Sequence, residues 1–396
     1  MRNLNIAEHM NSKKLDRSNS DTPIKLKELK NLIGERELDK KVYECYDISK
    51  FGHEEDNIRI KGISELLSAF YEINNKVNKY DIIEKLENVE YIGLEENKEI
   101  RLYFPEHDIS ASGVYGFSYD LLNELFKMGG LYNYCKQNDY RDILKDVIDG
   151  LFSRSTDIEK RYRLIEYNDD VLLRANTSMK YKRYDNNIVM YIYLLALHKY
   201  ATDSDLFFIL DKAHISDSAM ILFLEQENPI QVDGLGDVYF SAVVSNSEIK
   251  KGKVEFALRY RIVDDGAEFK VLPDIKDSLF SVMHNLKVEN LESKIEDIFE
   301  LEGYKNSMLD YISNIKSMRL TEDTLQFLMG QITTRRTKLS SETKKKFEEL
   351  YDQELIPNSM NLIKAFDKVS EITADFDEKI YLERLYYKVI KKVIGD

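Results

Sequence analysis

The middle of the chain, from about residue 160 to residue 272, is a succession of segments rich in β-branched and aromatic residues. The clearest of them is KVEFALRYRIV, in which every second residue from Val254 to Ile262 is apolar. This alternation is typical of a β-strand with one buried face. DVYFSAVV comes shortly before it, and we predict that 237–244 and 253–262 pair as an antiparallel hairpin. The whole stretch therefore indicates a mainly antiparallel sheet.

Helical patterns lie on both sides of this stretch. Residues 1–88 contain the apolar-periodic segments GISELLSAFYEI and YDIIEKL. The chain from about residue 275 contains LESKIEDIFEL, NSMLDYISNI, TEDTLQFLM and DEKIYLERLYYKVIKKVI. Separate runs of strands and helices favour the α+β class, with a central sheet flanked by helices. We predict a helical N-terminal region (1–88), an α+β core (89–274) and a helical C-terminal region that packs on the core (275–396).

The charge of the chain limits the partners that it can bind. Its 57 lysine and arginine residues are outnumbered by 71 aspartate and glutamate residues, which gives a formal net charge of −14. Polyanions are held by clustered cations, so this balance argues against a general polyanion binder but allows a local basic groove. The sequence has no apolar run of membrane-spanning length, and its polar start is unlike a signal peptide. We therefore expect a cytoplasmic protein with no membrane partner.

The common sequence motifs for cofactors and metals are missing. The sequence contains no GxxxxGK[ST] phosphate loop and no HExxH or CxxC pattern, and its six histidines are scattered. Its two cysteines, Cys45 and Cys135, are too few and too far apart for a disulfide framework or a zinc site. We predict neither a cofactor nor a metal.

A polar interruption follows one of the strand-like segments, at VVSNSEI (243–249). Asparagine and serine side chains bond to the local backbone and are therefore good turn residues. We predict that the stretch from Ser245 to Gly252 is the turn that connects the two strands of the hairpin.

Five segments of the chain, in their order, resemble parts of one known family. They are LYFPEHDISASGVYGFSYDLLNELFKMGGLYNYC, LLRANTSMKYKRYDN, FFILDKAHISDSAMILFLEQE leading into VVSNSEI, VMHNLKVENLE and NSMNLIKAFDKVSEI. The family consists of uncharacterised phage/plasmid-like proteins, a domain of unknown function carried by phages, prophages and conjugative plasmids. The resemblance covers roughly residues 90–390, and Asn246, Ser247 and Glu248 match the family's most recognisable triplet. It implies a protein of a mobile element that acts in the host cytoplasm.

The segment MKYKRYD favours a nucleic-acid hypothesis. Its cations Lys180, Lys182 and Arg183 are interleaved with Tyr181 and Tyr184. Grooves for single-stranded nucleic acid combine cations that hold phosphates with aromatic rings on which bases stack. We predict a single-strand-binding or recombination-type factor of a mobile element. A solvated strand end before a helix is the alternative interpretation of the segment.

A second hypothesis is an enzyme that acts on a phosphate-containing substrate. Its candidate residues are Arg174, Ser178, Glu248 and His284. Glutamate and histidine exchange protons near neutral pH when burial tunes them, and arginine holds phosphate or carboxylate groups. Alternatively, Arg174 and Glu248 form a buried ion pair that fixes the strands. We predict that these two residues are buried.

A third hypothesis is a non-enzymatic factor that blocks a host defence protein by direct binding. It requires no catalytic residue, and an acidic surface is compatible with it. The sequence does not separate the three hypotheses. A pocket that unites Arg174, Glu248 and His284 would favour an enzyme, whereas a basic groove lined with aromatic rings would favour nucleic acid.

Overall fold

The structure, a computed structural model, describes residues 9–18, 20, 22–249, 253–273, 280–282, 284, 288, 301–313, 315, 321–335, 337–355 and 362–394. It has two mainly antiparallel sheets, and helices precede and follow their strands along the chain. The predicted α+β class is therefore confirmed. The predicted single central sheet is in fact two sheets.

The strands, in chain order, are β1 (Ser12–Leu15), β2 (Ile60–Lys61), β3 (Asn78–Lys85), β4 (Glu90–Leu94), β5 (Ile100–Phe104), β6 (Ile109–Gly113), β7 (Glu159–Tyr167), β8 (Asp170–Thr177), β9 (Phe208–Ser216), β10 (Ala219–Gln226), β11 (Ile230–Val232), β12 (Gly236–Ser247), β13 (Val254–Asp264), β14 (Ala267–Val271) and β15 (Phe280–Val282). The α-helices are α1 (Glu37–Cys45), α2 (Ile63–Asn74), α3 (Phe117–Phe126), α4 (Gly129–Asn138), α5 (Arg141–Phe152), α6 (Asn186–Asp203), α7 (Leu301–Ile312), α8 (Glu322–Thr333), α9 (Ser341–Leu350), α10 (Leu362–Ser370) and α11 (Phe376–Ile394).

The larger sheet has nine strands and contains the predicted hairpin. Its main strand order is β1-β9-β10-β12-β13-β14, and β2, β11 and β15 pair with β9, β12 and β13. In the hairpin of β12 and β13, Asp237 pairs with Val263 and Ser245 pairs with Glu255. The predicted pairing of these two strands is therefore confirmed.

Both faces of β13 are covered, although its alternation predicted one buried face. Val254 and Phe256 belong to the main hydrophobic core, as expected. Ala257 and Arg259 on the other face are buried as well. Phe376 at the start of α11 packs against the apolar cluster that includes Ala257. The prediction of a solvated face was wrong because the C-terminal helix lies over it.

The smaller sheet has six strands in the order β3-β7-β8-β6-β5-β4, and β6 and β8 run parallel. One of its faces forms a second hydrophobic core with α3, α4 and α5. Leu102 and Tyr162 from the sheet share this core with Leu121, Tyr132 and Ile148 from the helices. The helices leave the opposite face of the sheet free to meet the larger sheet.

The helical prediction for YDIIEKL was wrong, because most of this segment lies in β3. Ile82 is buried opposite Tyr162 of β7, whereas Ile83 points away and is 44% exposed. Strand formation depends mainly on neighbouring strands, which a short apolar pattern does not reveal. Because β3 joins β4–β8 in one sheet, this sheet crosses the predicted boundary at residue 88.

The C-terminal helical segments are confirmed where the chain is described. NSMLDYISNI lies mostly in α7, TEDTLQFLM in α8, and DEKIYLERLYYKVIKKVI in α11. Most of LESKIEDIFEL and of VMHNLKVENLE lies outside the described residues. Within the described ranges, no helix combines the length and the apolar character needed to cross a membrane.

Candidate functional site

The second face of the six-stranded sheet carries charged side chains. In β3, Ile82 points into the core, so Lys79 and Asp81 point to the opposite face. Asp81 pairs with Arg163 of the neighbouring strand β7, which places Arg163 on the same face. This polar face meets the ends of β9, β10 and β12 and the start of α6.

A β-bulge in β8 brings Arg174 to this face. Across β7 and β8, Arg163 pairs with Ala175 but Leu164 pairs with Leu173, so Arg174 is an extra residue without a cross-strand partner. Bulges re-aim side chains and are frequent next to functional sites. The bulge directs the Arg174 side chain into the interior, where the residue is only 2% exposed.

Three of the four polar residues of VVSNSEI lie in β12, and Glu248 lies in the turn that follows the strand. The strand continues through Ser247, and Asn246 pairs with Met220 of β10. Asn246 and Ser247 are buried, and the amide group of Asn246 donates to the carbonyl of Tyr184 at 3.0 Å and to Oδ1 of Asn186 at 2.9 Å. The turn prediction was wrong for 245–247, because the strand continues through these residues and Asn246 bonds to the start of α6 across the fold.

The carboxylate of Glu248 lies at the centre of the charged residues. Its Oε2 accepts a hydrogen bond from Nη1 of Arg174 at 2.5 Å, and Nζ of Lys79 lies 3.1 and 3.2 Å from its two oxygens. Its Oε1 also accepts from the backbone N–H of Asn186, the first residue of α6, at 3.0 Å. Burial alone would raise the pKa of Glu248, but the charges of Lys79 and Arg174 outweigh it and lower that pKa.

Arg163 lies beside Glu248 and uses its whole guanidinium group. Nη1 donates to the backbone carbonyl of Glu248 at 2.7 Å, Nη2 to the two carboxylate oxygens of Asp185 at 2.8 and 3.0 Å, and Nε to Asp81 at 3.4 Å. Asp185 also accepts from Arg36. Burial opposes ionisation of Asp185, yet Arg163 and Arg36 lower its pKa well below the ordinary value. We name five of these residues the central cluster: Lys79, Arg163, Arg174, Asp185 and Glu248.

Arg174 uses only one of its three guanidinium nitrogens. Besides Glu248, Nη1 lies 3.4 Å from Oγ of Ser218 and 3.5 Å from the carbonyl of Asp217. Nε and Nη2 are buried and have no hydrogen-bond partner among the residues that the structure describes. Oδ1 of Asp217 is unpaired in the same sense, whereas Oδ2 accepts from the hydroxyl of Tyr115 at 2.7 Å. An unpaired buried polar group costs about 1–3 kcal/mol, so these atoms require an explanation.

The predicted catalytic residues converge only in part. Arg174 and Glu248 are in direct contact, and the prediction that both are buried is confirmed. The ring of His284 stacks on Tyr181 with centroids 4.7 Å apart, at the side of the central cluster. Its burial lowers the pKa of His284 to about 4, so the ring is neutral at pH 7. Ser178 is exposed beyond the end of β8 and does not join the others.

The segment predicted to bind nucleic acid has its rings inside and its amines outside. Tyr181 and Tyr184 are buried. Lys180 and Lys182 are exposed, and the partly exposed Arg183 lies 3.4 Å from a carboxylate oxygen of β3. A base can stack on either tyrosine only if the ring leaves the interior. The predicted aromatic lining is therefore not presented to solvent.

The sequence-based prediction missed Lys79, Arg163 and Asp185. A signal for Arg163 was present, because Arg161 and Arg163 alternate with apolar residues in EKRYRLIEY, as in a strand with one polar face. A signal for Asp185 was its place directly before an apolar helix, where aspartate is a common capping residue. Lys79 carried no such signal, because its strand was predicted to be a helix.

The comparisons with known proteins give no relative from which a function could be transferred. No protein-family model, no curated protein and no solved structure matches the chain. The resemblance to the phage/plasmid-like family therefore stays a prediction. In the part of the chain that the structure describes, no three histidine, cysteine, aspartate or glutamate side chains are grouped so as to hold a metal ion.

Proposed function

We propose that the protein binds a ligand with a phosphate or carboxylate group, and that Arg174 holds this group. The observation that supports the proposal is the unpaired edge of its buried guanidinium. Nε and Nη2 are parallel donors, and such a pair matches the two oxygens of a carboxylate or phosphate.

Two other arginines, equally buried, provide a comparison within the chain. Arg163 and Arg259 are each 1% exposed, and Arg174 is 2% exposed. Arg163 donates with all three nitrogens. Each nitrogen of Arg259 lies within 3.3 Å of a carboxylate oxygen, although its Nε is not aligned for a hydrogen bond. The unpaired edge of Arg174 is therefore not a general property of buried arginines in this fold.

The atoms around Arg174 restrict the chemistry of the ligand. Asp217 offers an unpaired acceptor, Oδ1, and its backbone carbonyl lies 3.5 Å from Nη1 of Arg174. A ligand with an oxyanion for Arg174 and a neighbouring hydroxyl for Asp217 would satisfy all three unpaired atoms. Sugar phosphates and hydroxy acids have this combination of groups.

The geometry supports binding better than catalysis. A general base needs a lone pair directed at its substrate, but the carboxylate of Glu248 already accepts from Arg174, Lys79 and Asn186. The ring of His284 is stacked on Tyr181, and Ser178 lies outside the cluster. We therefore assign Glu248 the role of holding Arg174 in place.

Calorimetric titration tests this proposal. The Arg174→Lys variant keeps the positive charge but loses the parallel donors. Wild type and variant are first unfolded and refolded to remove any retained ligand. Each is then titrated with inorganic phosphate, ribose 5-phosphate and lactate. We expect at least one of them to bind the wild type at a site whose Kd rises at least about tenfold in the variant, since each 1.4 kcal/mol is tenfold. Arg163→Lys is the control for a buried arginine that has no unpaired edge. Equal binding by wild type and Arg174→Lys, or no binding of any of the three, would overturn the proposal.

A nucleic-acid-associated role in a mobile element is a second proposal. Lys180 and Lys182 support it, because both amines are exposed on one short segment beside the central cluster. A phosphate backbone could be held by such cations without base stacking. Blocking of a host defence protein stays a prediction from the sequence.

A further inference from the structure

A polar cavity lies between the larger sheet and the C-terminal helices. It measures about 130 Å³ and is bounded by β9, β14, α10 and α11. At ~30 Å³ for each water, the cavity has room for about four water molecules or for one small polyatomic ion. Lysines from three different elements line it: Lys212 of β9, Lys270 of β14 and Lys379 of α11.

The ammonium groups of this cavity are poorly neutralised. Lys212 and Lys379 form no ion pair with any described residue. Nζ of Lys270 lies 3.7 Å from Glu268 and 3.8 Å from Asp211, beyond hydrogen-bond distance. Three cations therefore face the cavity with few acceptors of their own.

The carboxylates near the cavity have other partners. Glu383, which lines it, contacts Nε of Arg259 at 3.0 Å and Nη2 at 3.3 Å. Glu268 lies 3.3 Å from Arg261. Asp211, behind the wall, lies 3.0 Å from Nη1 of Arg259. Contacts with Arg259 and Arg261 thus already engage the negative charge that could neutralise the lysines.

We propose that this cavity binds a small oxyanion, a phosphate or carboxylate group, between Lys212, Lys270 and Lys379. The proposal is independent of the function proposed for Arg174. Lys212 precedes Asp217, the neighbour of Arg174, by five residues on β9 and the turn after it. At ~3.3 Å per residue the backbones of Lys212 and Asp217 are roughly 16 Å apart.

The environment of Lys270 provides a direct readout. Burial and the charge of Arg259 lower the pKa of Lys270, which increases the fraction of neutral, reactive amine. A bound oxyanion favours the charged amine and so raises the pKa again. Occupation of the cavity should therefore slow the acylation of Lys270.

Competitive labelling of the whole protein tests this inference. A trace of acetic anhydride is added at pH 8 with and without inorganic phosphate or acetate at about 10 mM, a concentration that would occupy even a weak site. Mass spectrometry then gives the labelling rate at each lysine, with Lys345 of α9 as internal reference because its side chain is 78% exposed. We expect the anion to slow labelling of Lys270 about threefold or more relative to Lys345, as a pKa rise of half a unit would do. The two anions distinguish a phosphate site from a carboxylate site.

Two variants complete the test. In the double variant Lys212→Met with Lys379→Met, the anion should no longer slow the acetylation of Lys270, while the circular dichroism spectrum stays unchanged. If the double variant has a lower melting temperature than the wild type, the single variant Lys379→Gln replaces it in the same comparison. Arg174→Lys should keep the protection, which separates this cavity from the site of the proposed function. Labelling of Lys270 that neither anion changes relative to Lys345, as expected if the cavity holds only water, would overturn the inference. Protection that survives the lysine substitutions would overturn it as well.

Discussion

Each side of the molecule contains a buried arginine, and the two arginines differ in how fully they are paired. On β13, Arg259 contacts Asp211 and Glu383 through all three nitrogens at 3.0–3.3 Å, although Nε is not aligned for a hydrogen bond. On β8, Arg174 contacts the carboxylate of Glu248 through Nη1 alone. Burial is the same for both, so pairing is what distinguishes them.

The difference separates a residue that holds the fold together from one that has spare binding capacity. Arg259 connects the larger sheet to α11 through Glu383, 124 residues further along the chain. A buried charge is tolerated when its partners neutralise it, and removal of one partner is costly. In Arg174, two donors are held in fixed directions without a partner, which is an arrangement that favours ligand binding over stability alone.

The largest effect is expected from Arg259→Met. This change leaves the buried carboxylates of Asp211 and Glu383 without their main partner and should lower the free energy of unfolding by about 3–5 kcal/mol. Arg174→Met should cost less than half as much, because Glu248 keeps Lys79 and a backbone N–H, and two unpaired donors are removed. Urea unfolding at pH 7 measures both variants. Equal losses would show that the two arginines play the same structural role.

Glu248→Ala should lower the free energy of unfolding by about 3 kcal/mol, because Arg174 and Lys79 remain buried without their carboxylate. The pKa of Glu248 is lower in the folded protein than in the unfolded chain. Its contribution is therefore present above pH 4.5 and is lost as the pH falls below that value. Urea unfolding at pH 7 and at pH 3.5 should show the difference between wild type and variant shrinking at the lower pH. A variant that unfolds like the wild type at pH 7 but no longer binds its ligand would make Glu248 a binding residue instead.

Part of the fold could be predicted from the sequence because the pattern was local. The strands of the β12–β13 hairpin alternate clearly, and the helices of the C-terminal region show helical periodicity. The sequence did not predict that β3 is a strand, because its conformation results from pairing with β7. The second buried face of β13 was equally hidden, since the helix that covers it comes more than 110 residues later in the chain.

The candidate site was less predictable than the fold. Arg174 and Glu248 could be proposed because charged residues within strand-rich segments need partners. Their contact joins residues that are 74 positions apart and depends on a bulge, which a single sequence does not reveal. The segment with Tyr181 suggested a groove, yet the tyrosine stacks inside on His284. The composition of the segment showed which charges and rings it carries, but not the direction in which each side chain points.

Two of the four buried histidines in the described residues, His214 and His284, extend the comparison to pH. His214 packs edge-on against Phe376, and His284 stacks on Tyr181. Burial lowers the pKa of each to about 4, whereas the unfolded chain binds the proton near pH 6.5. Stability should therefore fall as the pH drops from about 6.5 to about 4, by on the order of 2–3 kcal/mol for each histidine, and not change further from this source below pH 4.

Urea unfolding of the variants His214→Phe and His284→Phe at pH 7 and pH 4.5 shows how much of this loss of stability comes from each histidine. Each variant should show a smaller loss between the two pH values than the wild type. The low pKa of Asp211, about 2, keeps that carboxylate from titrating in this range. A wild-type protein equally stable at both pH values would contradict the burial of the two rings.

The smallest effect is expected at the exposed amines beside the Arg174 side of the molecule. If Lys180 and Lys182 hold a phosphate backbone, the protein should bind a fluorescent single-stranded oligonucleotide with little sequence preference and with an affinity that falls as salt rises. Replacing both lysines by alanine should weaken binding of all sequences alike and reduce the salt slope by about 1.4, at ~0.7 for each phosphate contact on a single strand. The same change should leave the free energy of unfolding within about 0.5 kcal/mol of the wild type, since both side chains are exposed.

The double variant Lys345→Ala with Lys346→Ala on α9 is the matched control, because these adjacent lysines are exposed on a different part of the chain. Fluorescence anisotropy from about 50 mM salt upward measures the binding of the wild type and of both double variants. Electrostatic attraction is strongest at the lowest salt concentration. If the wild type does not bind the oligonucleotide there, the nucleic-acid proposal is wrong, and the ligand site at Arg174 is the function to pursue.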